Sequence, residues 1–398
     1  MYDIANPEDH QRVRDQAEDL LGRAAGQDEL LAIGRDAANP LDLRVASKLA
    51  ASRQALLDSG WAGRLGVTIA MWGERRRLHP RTDDNPTGED SLHVKLDQLG
   101  WLFDGTDVDW AIYCVDDGDP EDSASVAEER AADHPRGDRV TVARLADALG
   151  QGPLSELHDV DDSRKGGAIV YGAHLAMTDG RDAVVMTDAD NSVDLGQIGL
   201  LIGRHAAGSA VVVGDRKDAD SVLVKAEARW GPGIVVLRHM QRMVGVELFS
   251  RGLQDTQAAF KLYSRPVLET ILAKPSTYGF AFDSDWLYAA VMSDVDISAV
   301  PFAFIDSFEE SASITQGPMT TWESLLKGLV MAARWRGVPH DEAMAQVVDR
   351  CGDAATLELV VQNVPDELAQ VPADRLGDPT VMPPADVETW IESLRATS

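Results

Sequence analysis

Four short apolar runs constrain this chain more than any other feature. GVTIAM (66–71), WAIYCVDDG (110–118), AVVMTDAD (183–190) and SAVVVGDR (209–216) are rich in β-branched residues. Each runs out at charged side chains within a few residues, and short runs bounded in this way read as buried strands. Between them lie the helix candidates HVKLDQLGWLF, DSASVAEERAADH, GGAIVYGAHLAM and GQIGLLIGRHA. Strands alternating with helices predict an α/β fold, a mostly parallel, Rossmann-like sheet with helices on both faces. In such sheets ligands bind outside the carboxyl ends of the strands. Those ends here carry Glu74, Asp116 and Asp117, Asp188 and Asp190, and Asp215 with Arg216. Four acidic strand ends point to one crevice.

The flanks have a different character. PEDHQRVRDQAEDLLGRAAG and LDLRVASKLAASRQALLDSG repeat apolar residues at three- and four-residue spacing, with Asn39-Pro40 as a break between them. Helical periodicity returns in TTWESLLKGLVMAARWRG and DEAMAQVVDRCGDAATLELVVQNV. The expected organisation is a helical extension over 1–62, an α/β domain over 63–317 and a helical extension over 318–398. The final stretch, VPADRLGDPTVMPPADVETW, is acidic and proline-containing and is expected to lie loosely on the surface.

Charge and composition remove several function classes. A formal net charge of −29 argues against nucleic acid and against an anionic membrane surface as general partners. No run of about 18 apolar residues occurs, so no integral membrane segment is expected. The amino terminus, MYDIANPEDHQRVRDQ, has no apolar core of a signal peptide. The two cysteines, Cys114 and Cys351, are too few for a disulfide framework. Together these features predict a cytoplasmic protein.

Three stretches carry chemistry. In VVMTDADNSVDL (184–195), oxygen-bearing side chains recur at every second position from Asp188 to Asp194. A calcium loop of the EF-hand kind would need Gly at its sixth position and Glu at its twelfth. Val193 and Gly199 stand there instead, and the loop follows a strand-like run. What remains is a carboxylate pair at a strand end, suited to one Mg2+ or Mn2+ shared with diphosphate oxygens. In CVDDGDPEDSASVA (114–127) a buried strand breaks at Asp116-Asp117-Gly118. That stretch reads equally well as turn chemistry with a helix cap or as a carboxylate that meets a base or a sugar hydroxyl. In SRKGGAIVYGAHLA (163–176), Arg164 and Lys165 precede a Gly pair that opens a helix, an arrangement suited to an anion such as a diphosphate. Its spacing matches neither a Walker loop nor G-x-G-x-x-G.

Taken in order, GVTIAMWGERRRL, CVDDGDPEDSASVA, SRKGGAIVYGAHLA, VVMTDADNSVDL, GDRK, LQDTQAAFKLYSR and YGFAFDSDWLY resemble the family 2 glycosyltransferases of the GT-A fold. The resemblance covers roughly residues 64–310 and is strongest to the dolichyl-phosphate glucosyltransferase and polyprenyl-phosphate mannosyltransferase subgroup. It implies an inverting, metal-dependent hexosyltransferase that uses a nucleotide-diphosphate sugar, UDP-glucose before GDP-mannose. Carried over by position, one of Asp116 and Asp117 contacts the base, Glu74 lies near the ribose, and Arg164 and Lys165 face the diphosphate. Asp188 contacts ribose or sugar and shares the metal with Asp190, its chief ligand. Asp255, Gln257 and Lys261 shape the sugar and acceptor region. An inverting transfer needs a base on the acceptor side. The FAFD segment supplies Asp283, with Asp285 second, and Asp283 is also well suited to capping the helix that follows.

The chain departs from the family pattern at Met71-Trp72-Gly73-Glu74, where Pro-x-Tyr-Asn-Glu is usual, and at Ala259, where Gly is usual. Its acidity and its lack of a basic amphipathic helix favour a soluble acceptor, a small molecule or a glycan, over a membrane-bound one. The helical flanks allow a homodimer. The alternatives are a sugar-1-phosphate nucleotidyltransferase, or a nucleotide-sugar-binding protein without catalysis.

Overall fold

A computed structural model describes residues 2–163, 165–225, 231–306 and 318–397 of the 398-residue chain. Among the described residues there are nine strands: β1 (Arg64–Met71), β2 (Asp109–Asp116), β3 (Val140–Arg144), β4 (Ala183–Thr187), β5 (Val211–Asp215), β6 (Val222–Val224), β7 (Phe260–Ser264), β8 (Ile297–Pro301) and β9 (Ala303–Ile305). Seven of them form one sheet in the order β3-β2-β1-β4-β7-β5-β8, and β6 pairs with β9 in a small second sheet. Every pairing is parallel except those of β7, which runs antiparallel to both β4 and β5. The expected α/β architecture, a mostly parallel sheet with helices on both faces, is the one found.

The chain divides into two compact units. The first comprises Met1–Lys225, Gln257–Lys274 and Asp294–Glu309, and the second Ala226–Thr256, Pro275–Ser293 and Glu310–Ser398.

In the first unit the two-residue alternation of the strands sorts the core into layers. Leu65, Val67 and Ile69 of β1 and Ile112 and Cys114 of β2 share a core with Leu92, Leu96 and Leu99 of the helix Ser91–Phe103 and Leu201 of the helix Ile198–Ala206. The opposite face of β1 meets the helix Gly166–Thr178 at very short range. A Cβ on Gly172 would lie 1.9 Å from Thr68 Oγ1. Only glycine allows that approach. Gly172→Ala is therefore expected to cost about 1–3 kcal/mol of stability by overpacking, read as a lower urea midpoint at unchanged slope. Thr68 Oγ1 is buried without a hydrogen-bond partner, so Thr68→Ala should recover most of the loss in the double variant. Equal losses in the single and double variants would refute this account.

The amino-terminal helices Pro7–Gly22, Gln27–Arg35 and Leu41–Ser59 belong to the first unit. They form a second core with the small sheet, in which Val13, Leu20, Val45 and Leu49 meet Val222, Ala303 and Ile305. The short helix Gln27–Arg35 lies between the two helices read from periodicity. Cys114 is buried, which pushes its thiol up to about 12 and leaves it unreactive.

The second unit is helical. It contains Ile234–Val244, Phe282–Met292, Pro318–Arg336, Glu342–Cys351, Ala354–Gln362 and Pro384–Thr397, together with the short helix Val246–Phe249. The stretch of helical periodicity from Asp341 to Val364 holds two helices, divided at Gly352, where the Asp353 side chain accepts from the Thr356 N–H and starts the second. The final stretch does not lie loosely. Buried His239 accepts the Gly377 N–H at Nδ1 (2.9 Å) and donates from Nε2 to the Met382 carbonyl (2.9 Å). Met382, Val387 and Ile391 are buried with it. Apolar residues spaced through a polar tail were enough to dock it.

Candidate functional site

The carboxyl ends of β2, β1 and β4 lie side by side, with Met71 of β1 in register with Asp116 of β2. Asp116 uses both carboxylate oxygens locally. One accepts the Gly118 and Asp119 N–H groups (2.9 Å each), and the other accepts the Ala124 N–H at 3.1 Å, at the start of the helix Ser123–Ala132. Burial pushes its carboxyl above the usual carboxylate range, against the pull of those amides. Asp122 caps that helix by accepting from the Ser125 N–H. The neighbouring Asp117 looks the other way. Its backbone N–H donates to the Met71 carbonyl (2.9 Å), and its carboxylate accepts from Ser163 Oγ and from the Lys165 N–H (2.7 Å). Of the two acids read at this strand end, Asp116 builds the turn and Asp117 fastens it to the Gly-Gly loop.

Lys165 sits just before the helix Gly166–Thr178 with φ of 73°, a left-handed conformation that costs a non-glycine residue. Its ammonium pairs with Asp188 just past the end of β4. The three motifs that the sequence suggested for base, diphosphate and metal are thus joined by side-chain contacts. Burial works against ionised Asp188, but the Lys165 ammonium, joined by the charges of Arg216 and Lys95, holds the carboxyl below its ordinary range. Asp190 is shifted the opposite way, upwards, by burial and then by the charge of Asp188, with Arg77 and Lys95 opposing. Its Oδ1 accepts the Ser192 N–H (3.0 Å). Arg164, the other cation read in this motif, lies outside the described residues.

Glu74 follows β1 and pairs with Arg77, which also reaches Glu89 (3.2 Å). Burial raises the Glu74 carboxyl to about 7, against the pull of Arg77 and with the help of Asp190. Two side chains beneath the Asp188–Asp190 turn escaped the sequence reading. Glu89 accepts the Asn191 N–H (2.8 Å), and the buried Lys95 donates its ammonium to the Asp190 carbonyl. A signal for Lys95 existed. Ser91, Lys95 and Gln98 recur at helical spacing on a buried face of Ser91–Phe103, where polar residues need partners in the protein. Gln98 supplies one by accepting the Leu195 N–H (3.0 Å).

Among the described residues no group of three or more His, Cys, Asp or Glu side chains is arranged to hold a metal. The Asp188–Asp190 turn offers hard carboxylate donors, as a magnesium-class ion requires. Such ions bind through one or two carboxylates and complete their shell with phosphate and water. The donor set fits that mode and no self-contained protein cage.

Lys261 of β7 is fully buried and donates from Nζ to the Ala258 carbonyl (2.6 Å). It therefore supports the turn ahead of β7 from within the sheet, while Gln257 on that turn is half-buried.

In the second unit Asp255 is buried. Asp283 and Asp285 lie in the first turn of Phe282–Met292, whose cap position is Ala281, so Asp283 is not its capping residue. Asp285 is fully buried and held by Nε and Nη2 of Arg336 (2.7 and 2.8 Å), and it also accepts the Ser276 N–H (3.2 Å). A carboxylate so paired anchors helices. A Cβ on Gly328 would fall 2.1 Å from the Ala281 Cβ, so the helix that carries Arg336 also touches the start of this turn.

No family model matches the chain. A sequence relative is the polyprenol monophosphomannose synthase of Mycolicibacterium smegmatis, 26% identical over 196 residues that cover 49% of this chain. The match spans 66% of that protein, just under two thirds of its length. It falls in the mannosyltransferase subgroup that the ordered motifs resemble. Among solved structures, glucosyl-3-phosphoglycerate synthase from Mycobacterium tuberculosis with uridine diphosphate aligns with a TM-score of 0.48 and 16% identity, over 72% of this chain and 84% of that one. The same enzyme with Mn2+, UDP-glucose and phosphoglyceric acid aligns with a TM-score of 0.48 and 16% identity, over 73% and 85%. Among the described residues no helix is long and apolar enough to cross a membrane.

Proposed function

We propose that this chain is an inverting, metal-dependent glycosyltransferase that moves a hexose from a nucleotide-diphosphate sugar to a soluble acceptor, with UDP-glucose the first donor to test and GDP-mannose the second. The observation that carries the reading is the joining of the Gly-Gly helix start to the Asp188–Asp190 turn through Lys165, with Asp117 tied to the same loop. The ordered motif series and the match to polyprenol monophosphomannose synthase support it. The net charge of −29 supports a soluble acceptor over one presented at an anionic membrane.

In this reading one of Asp116 and Asp117 faces the base, beside the turn that Asp116 closes and the loop that Asp117 holds. Glu74 lies on the ribose side. Lys165 leaves Asp188 to meet the diphosphate, helped by the backbone N–H groups that open its helix. Asp190, with Asp188, would hold Mg2+ or Mn2+, which when bound supplies positive charge against the departing diphosphate. Gln257 and Asp255 border the sugar and the acceptor, and Lys261 keeps the turn in place. Asp283 takes the proton of the acceptor hydroxyl as that oxygen bonds to the anomeric carbon and the bond to the diphosphate breaks.

Thermal unfolding against UDP-, GDP-, dTDP- and CDP-sugars, with and without Mn2+, tests the reading. A ligand at 100 times its dissociation constant stabilises by about 2.7 kcal/mol, so a rise of several degrees is expected for one base, larger with Mn2+. A folded protein that responds to no sugar nucleotide would overturn it. Release of the free nucleotide from the stabilising donor then separates a transferase from a binding protein.

A further inference from the structure

We propose that residues 2–10 are part of the scaffold of the metal-binding turn, and that Asn191 is the positioning residue through which they act. The inference rests on the reading of Asp188 and Asp190 as metal ligands. Asn191 directly follows Asp190 and is buried. Its backbone N–H donates to the Glu89 carboxylate (2.8 Å), and its side-chain amide donates to two carbonyls, those of Glu89 (3.0 Å) and Ile4 (3.1 Å). Two carbonyl acceptors fix which end of the amide is nitrogen. They also explain the residue type, since an aspartate here would set oxygen against oxygen.

The Ile4 carbonyl is itself held. His10 Nε2 lies 2.7 Å from it and must donate, which leaves Nδ1 to accept from the Tyr2 hydroxyl (3.3 Å). The backbone between them is closed by the Asp3 N–H on the Asp9 carboxylate (2.7 Å), and Tyr2, Ile4 and His10 are all buried. Tyr2 and Ile4 pack in the core formed by the amino-terminal helices and the small sheet. Residues 2–10 thus form a strap joined to the turn through the Asn191 amide on the Ile4 carbonyl. With Lys95 on the Asp190 carbonyl and Glu89 on the Asn191 N–H, both polar groups of the peptide unit that joins Asp190 to Asn191 are held. Outer partners of this kind orient a ligand without touching the ion, and their loss costs about 10- to 100-fold in metal affinity.

The test measures two dissociation constants in the full chain, that of UDP alone and that of Mn2+ at saturating UDP, by calorimetry, with circular dichroism to confirm folding. Asn191→Ala is expected to weaken Mn2+ about 10- to 100-fold while metal-free UDP binding stays within threefold. His10→Ala, remote from the ligands, should shift Mn2+ in the same direction by a smaller factor, and it carries the test alone if Asn191→Ala does not fold. Mn2+ affinity within threefold of the parent in every variant that folds, or equal losses for UDP and Mn2+, would overturn the inference. If the parent chain itself binds no Mn2+ with UDP, the metal reading fails first and the strap with it, a result distinct from a parent that binds and variants that do not differ.

Discussion

Asp190→Ala is expected to reduce metal-supported turnover by about three orders of magnitude and to leave the fold intact. A bound cation is worth several kcal/mol of charge stabilisation in the transition state, and each 1.36 kcal/mol is a factor of about ten. The fold should survive because the Asp190 carboxylate supports little else: one of its oxygens accepts the Ser192 N–H (3.0 Å), while the Lys95 bond goes to the Asp190 carbonyl, which alanine keeps. Two carboxylates in one half-buried turn also repel each other, so removing one relieves the metal-free protein. Metal-free urea stability is therefore expected to hold or rise as activity collapses, as for side chains kept for function at the expense of stability. Nucleotide release followed over a Mn2+ titration measures the first effect and urea unfolding the second. Parent-like turnover at saturating Mn2+ would remove Asp190 from the metal site.

The parts of this arrangement that could be read from sequence share a physical cause. β1, β2, β4 and β5 were legible because each is an uninterrupted apolar run ending in charge, the signature of a buried parallel strand. β7 was not. Its sequence, FKLYS, puts Lys261 in the middle of the sheet, and a lysine there looks like a solvent-facing residue until the Ala258 carbonyl is seen to take its ammonium. The antiparallel entry of β7 between β4 and β5 is a long-range choice with no local signal. At the site, acids at strand ends could be named but not divided between tasks. Asp116 and Asp117 are adjacent and chemically identical, and only the fold shows that one closes a turn while the other holds Lys165. Glu89, Lys95 and Asn191 were passed over because their partners are mostly backbone groups distant in sequence. The linear boundaries drawn at 62 and 317 mark changes in composition. Compactness follows contacts instead, and it groups the amino-terminal helices with the sheet and Asp283 with the carboxyl-terminal helices.

Asp283→Asn and Asp285→Asn separate the two acids of the FAFD segment by opposite signatures. Asp283→Asn keeps shape and hydrogen bonding but cannot take a proton. Transfer is expected to fall by about 10²- to 10⁴-fold, the worth of a general base, with the donor dissociation constant unchanged. Asp285→Asn should act on stability. Its carboxylate is fully buried and bound through both oxygens by Nε and Nη2 of Arg336, itself 10% exposed. Removing one charge of such a pair leaves the other uncompensated, at a cost of about 3–5 kcal/mol. Activity then falls with the folded fraction, and rate per folded molecule stays near the parent value. Arg336→Met should reproduce the Asp285→Asn phenotype from the other side, since Asp285 would be left buried without its cation. Arg336→Lys keeps the charge but not the fork and should fall between. Stopped assays normalised to the folded fraction by near-ultraviolet circular dichroism distinguish these outcomes. A fall of less than tenfold in Asp283→Asn with donor binding intact would take the base role from Asp283. It would not pass to Asp285, because a carboxylate that holds two helices together through a buried arginine cannot turn to an incoming hydroxyl without first breaking the pair.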